Sequence, residues 1–129
     1  MDIKELANKY HDSGFNCAQA VLCACAEYTW LDEKTALAIA AGFGGGLRSG
    51  EVCGAISGAV MALGLTNPFT DSSDIVAKEK IAALAKECVA AGKEKFGCVI
   101  CSELKGDKSN CPYYIGEMAA IAEEMIKNN

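Results

Sequence analysis

The chain has 129 residues, of which 22% are charged, and a net charge of −5 at pH 7. That length suits one domain with a real hydrophobic core, and the acidic balance argues against nucleic acid as a partner. The longest apolar stretch, Val52 to Leu65, is too short and too rich in glycine to span a bilayer, so no membrane partner is expected.

Helices are expected throughout, with no convincing strand. The opening MDIKELANKYHDSG has neither an apolar stretch after a basic start nor a twin arginine, and a cytoplasmic location is expected. A first short helix runs from about Ile3 to Tyr10 and stops near Gly14. Asn16 is a good N-cap for a second helix that reaches about Tyr28. A third begins at Asp32 and carries Ala36, Leu37, Ile39 and Ala40. The loop from Gly42 to Gly50 follows, with five glycines in nine residues; such a loop can bring backbone amides close to a ligand.

A fourth helix is expected from about Val52 to Leu63, ending at Gly64. After a connector with Pro68, Ser72 or Ser73 caps the longest helix, whose apolar residues Ile81, Leu84, Ala85 and Cys88 recur at helical spacing. It ends near Gly97. From Cys98 to Asn110 a short turn of helix and a polar loop with Gly106, Asp107, Ser109 and Asn110 are expected. Pro112 opens the last helix. The architecture that follows is an all-α, compact single-domain bundle of about five to six helices covering residues 1–129.

Eight cysteines in such a chain point to metal, cluster or redox thiols rather than a secreted disulfide scaffold. Cys17, Cys53, Cys101 and Cys111 stand beside glycine, proline or helix-start signals. A thiol at a helix start has its pKa lowered, and the thiolate is both nucleophile and metal ligand. Cys17, Cys53 and Cys111 are expected to face the positive end of a helix. Arg48 adds a positive charge near Cys53. Gly54, Gly58 and Ala62 form a small-residue stripe that would let the second helix, through Ala18, Ala20 and Ala24, approach and bring Cys17 near Cys53. Cys98 and Cys101 form a Cys-Val-Ile-Cys motif, spaced for zinc, a cluster or a redox dithiol. Cys88 lies on an apolar stripe and reads as core; Cys23 and Cys25 do not share the helix face of Cys17.

These residues resemble the C_GCAxxG_C_C family of putative redox-active proteins. The run Cys53-Gly54-Ala55-Ile56-Ser57-Gly58 matches its CGAxxG core without a break. Cys17 in Asn16-Cys17-Ala18-Gln19, Cys101 and Cys111 take the places of the other three family cysteines, and the likeness extends from about Ser13 to Ile126. The resemblance implies a redox role, with an iron–sulfur centre or another prosthetic group.

Three readings stay open. The first is an iron–sulfur cluster, or alternatively zinc, held by Cys17, Cys53, Cys101 and Cys111, with Cys98 a less favoured ligand. In this reading Gly44, Gly45, Gly46, Gly54 and Gly58 allow close packing and amide contacts, and Arg48 offsets charge; the work is electron transfer or redox sensing with a redox partner protein. The second is metal-free thiol–disulfide chemistry, pairing Cys17 with Cys53 and Cys101 with Cys111. The third is a structural or interaction module whose cysteines only pack. Pairing into a homodimer is open to such a bundle. The single histidine, His11, reads as a surface residue, as do Glu123 and Glu124; Tyr28, Trp30, Tyr113 and Tyr114 read as packing residues, Trp30 in the core or at an interface.

Overall fold

The computed structural model describes residues 1–104, 106 and 109–129. Asp107, expected in the polar loop, lies outside the described residues. Among the described residues eight α-helices follow one another: α1 (Ile3–Asp12), α2 (Cys17–Ala24), α3 (Ala26–Thr29), α4 (Glu33–Ala40), α5 (Gly54–Thr66), α6 (Ile75–Phe96), α7 (Cys101–Leu104) and α8 (Cys111–Lys127). A wide turn of π type, Gly46–Gly50, sits between α4 and α5.

The helical class is as expected, but the number of helices is higher, for local reasons. The expected second helix breaks at Cys25, whose backbone (φ −90°, ψ 10°) leaves the helical range. It restarts as the single turn α3, which Trp30 ends in a left-handed conformation at φ 59°. The turn expected after Cys98 is α7. Trp30 is 88% exposed, which removes it from the core. Among the described residues no strand forms, and one antiparallel bridge joins Val52 and Ile100.

Side-chain caps set four of the helix starts. Asp2, Asn16, Asp32 and Asp74 each accept a backbone N–H from the first turn that follows, and Asn16 and Gln19 form a reciprocal capping box. α6 was expected to be capped by Ser72 or Ser73. Instead Asp71 accepts both the Ser73 N–H at 2.9 Å and its hydroxyl at 2.7 Å, which holds Ser73 in the preceding turn and leaves the cap to Asp74. α5 runs past Gly64 because the Thr66 hydroxyl donates to the carbonyls of Ala62 and Leu63, satisfying acceptors of its last turn.

α5 is the central helix and packs against α2, α6 and α8. Leu22, Ile56, Leu63, Ile115 and Met118 are fully buried around it, with Cys25 and Cys88. A Cβ added at Gly58 would lie 2.7 Å from the Ala18 carbonyl oxygen and 3.2 Å from Val21 Cβ. Glycine there lets the two backbones meet, so the small-residue stripe does face α2. Among the described residues no helix is long and apolar enough to cross a membrane.

Candidate functional site

The fold carries all four singled-out cysteines to helix starts. Cys17 is the first residue of α2, Cys53 precedes α5, Cys101 opens α7 and Cys111 opens α8. Cys101 therefore joins the three expected at such positions. Pro112 is the second residue of α8 rather than the first, because Cys111 is already helical.

Cys53 and Cys101 are held together by the backbone. The Cys53 N–H donates to the Val99 carbonyl at 2.7 Å, and the Cys101 N–H donates to the Glu51 carbonyl at 2.6 Å. With Val52 opposite Ile100, alternation along each short strand puts Cys53 and Cys101 on the same face of the bridge. Cys17 approaches from α2: a Cβ at Gly54 would overlap its sulfur and come within 2.9 Å of the Phe43 carbonyl. Gly54 thus seats Cys17 against the first turn of α5.

The four cysteines line one open cavity of about 440 Å³, together with His11, Asn16, Gly45, Arg48, Gly50, Leu104, Tyr114 and Ile115. Tyr114 closes one wall: its hydroxyl donates to the Leu104 carbonyl at 2.9 Å and its ring packs edge-on against Phe96. Burial, with the Cys111 and Cys53 sulfurs nearby, raises the pKa of that phenol.

The lowered pKa expected of a helix-start thiol is not what Cys53 shows. Burial pushes its thiol up to about 11. The amides of Ala55 and Ile56 at the start of α5 pull the other way, while the sulfurs of Cys17 and Cys101 add to the rise. Desolvation therefore outweighs the helix start at this position. Among the described residues no three Cys, His, Asp or Glu side chains converge on a single ion position. The thiols surround the cavity rather than forming a closed cage.

Arg48 reaches the cavity from an unusual turn. Gly45, Gly46, Leu47 and Arg48 are successive left-handed residues, with φ between 57° and 64°. For Leu47 and Arg48 this costs about 1–2 kcal/mol each relative to ordinary helical angles. Of the glycines expected at the site, Gly45 lines the cavity and Gly54 abuts Cys17. Gly44 packs under the Asn16 side chain, Gly46 under the Glu51 backbone and Gly58 on α2.

Cys98 does not join the four among the cavity-lining residues described. Its thiol donates to the Glu103 carboxylate at 2.7 Å and accepts the Ile100 N–H at 3.3 Å. Cys23, Cys25 and Cys88 are buried, and burial raises their thiols to about 11, about 12 and about 12. Glu123 is only half-buried and accepts the Tyr28 hydroxyl at 2.7 Å, so it is not simply a solvated face. His11, read from sequence as a surface residue, lines the cavity. It lies in the last turn of α1, and Gly14 (φ 106°) then reverses the chain towards Cys17.

The eight helices of the described residues and a cavity walled by four helix-start cysteines define a small, all-α, cysteine-rich protein built around a sulfur-lined site. The sequence model of the family described as "Putative redox-active protein (C_GCAxxG_C_C)" matches residues 15–125. The chain belongs to that family. No curated protein and no solved structure matches it.

Proposed function

We propose that the cavity is a redox centre in which Cys17, Cys53, Cys101 and Cys111 hold an iron–sulfur cluster for electron transfer or redox sensing. The observation that carries this reading is the meeting, in one cavity, of four thiols from four separate helix starts spread over residues 17–111. The donor set fits such a group in kind and number, since four thiolates satisfy a [2Fe–2S] or [4Fe–4S] cluster; a single zinc ion would need the same four thiolates to close on one point. A bound cluster would supply one-electron transfer. Arg48 would offset its charge, and Tyr114 and Ile115 would limit water at one wall. Cys53 must lose the proton that burial favours, so loading releases protons and falls off as pH drops.

The test is anaerobic reconstitution with iron and sulfide, followed by absorption spectroscopy and metal analysis. The reading expects a visible chromophore that Cys53→Ser abolishes and Cys88→Ala retains. A chromophore equally strong in Cys53→Ser would overturn it.

The spacing of the sulfurs favours a second reading. Because no three donors converge among the described residues, thiol–disulfide exchange without metal suits the same cavity, pairing Cys17 with Cys53 and Cys101 with Cys111. Mild oxidation of the metal-free protein, then peptide mapping by mass spectrometry, would show those two linkages.

A further inference from the structure

The only histidine and the only arginine of the chain, His11 and Arg48, both line the sulfur cavity. They come from different parts of the fold, the end of α1 and the left-handed turn before α5. Neither side chain has a hydrogen-bond or ion-pair partner among the described residues. No carboxylate lines the cavity among the described residues, although the chain as a whole carries a net charge of −5. The positive ends of α2, α5 and α8 open onto the same space through Cys17, Cys53 and Cys111. Every fixed charge described there is positive or partly positive, in a protein that is otherwise acidic.

We propose that this cavity binds a small oxyanion, through the Arg48 guanidinium and an imidazole N–H of His11. Guanidinium is planar and presents paired donors that match two oxygens of one oxyanion. Imidazole carries at least one N–H donor in either protonation state. The oxyanion is a carboxylate on a small organic molecule or a free tetrahedral ion such as sulfate; both present the same paired oxygens. A volume of about 440 Å³ holds either. The left-handed turn explains why a costly backbone is kept: it delivers Arg48 to the rim from a rigid base, and strain of this kind clusters at ligand sites. The proposal concerns binding alone and does not rest on the redox reading above.

The experiment is a titration of the reduced, metal-free full chain with sodium sulfate and, separately, with sodium succinate. Ionic strength is held constant with chloride, and backbone amide resonances are followed. The proposal expects saturable shifts confined to Gly45–Gly50, the end of α1 and the starts of α2, α5 and α8, with Arg48→Gln weakening binding about tenfold or more, as loss of a charged hydrogen bond does. His11→Gln, on a half-exposed side chain, keeps the test independent of any effect on the turn, and should weaken binding less while still measurably. Saturation by sulfate alone assigns the site to inorganic oxyanions, and saturation by succinate alone to organic carboxylates. Shifts that never saturate, or that are unchanged in both variants, overturn the proposal. The redox reading is tested separately, by oxidative thiol titration of the metal-free chain and by the iron and sulfide reconstitution above: anion binding with both negative removes that reading and leaves the site.

Discussion

At Cys53 two effects meet that the sequence alone cannot rank. A helix start stabilises the thiolate, and burial destabilises it; burial wins, and the thiol rises to about 11. The folded pKa therefore lies above the unfolded value near ~8.5. This contribution to stability is intact below that unfolded value and is lost as pH rises through about 11. In the metal-free protein, alkylation of Cys53 should keep accelerating with pH to about 11, followed by mass spectrometry of the Cys53 peptide. A rate that levels off near the ordinary thiol value would contradict the burial argument. Gly54 makes a second prediction at this scale. A methyl at that position overlaps the Cys17 sulfur and presses on the Phe43 carbonyl, so Gly54→Ala should destabilise by about 1–3 kcal/mol, the usual range for overpacking. Urea denaturation measures it.

At the scale of the elements, α5 and α2 form the scaffold of the site. Their closeness depends on Gly58, where a Cβ would meet the Ala18 carbonyl. Gly58→Val should separate the helices, cost about 3 kcal/mol or more, as overpacking of a close contact does, and loosen Cys17. Thermal melting checks the first effect, and faster alkylation of Cys17 checks the second. The stripe Gly54-Gly58-Ala62 was legible because small residues at a four-residue interval admit few other uses. The position of Asn16 as a cap was legible for a similar reason: its side chain can satisfy an N–H that nothing else reaches. The break at Cys25 was not, because the apolar run continues through it and only tertiary packing turns the chain there. Nor was the left-handed turn at Leu47 and Arg48. Glycines predict such angles, but Leu and Arg oppose them, and local preference gave no sign that the turn would extend so far. His11 is partly exposed, as a lone imidazole near a polar helix end suggests, but its place on the cavity was not legible because it depends on the chain reversal at Gly14.

Across the whole molecule, three helices are tied by one carboxylate. Glu117 on α8 accepts Lys4 of α1 at 3.2 Å and pairs with Lys95 of α6 at 3.1 Å. Burial works to raise its pKa, but the Lys95 and Lys4 ammoniums outweigh that and hold it below the usual carboxyl range. The stabilisation is complete above the unfolded value near ~4.3 and is lost as pH falls through the lowered folded one. Glu117→Gln should cost about 1 kcal/mol at pH 7, since the lysines are partly exposed, and far less in acid. Urea melts at neutral and acid pH decide it; an equal loss at both would place the effect in packing, not charge. The global class, helical and single-centred, followed from composition and cysteine placement. The convergence of four thiols on one cavity did not follow from spacing alone, because it depends on the bridge between residues near 52 and 100.

That convergence has a consequence for when the protein becomes competent. The walls of the cavity are supplied by residues from His11 to Ile115, so almost the entire chain must leave the ribosome before the site exists. No early fragment can capture a ligand meant for the finished centre. Once something occupies the cavity, it ties distant stretches of polypeptide to one another and acts as a clasp, raising resistance to unfolding with the logarithm of its affinity.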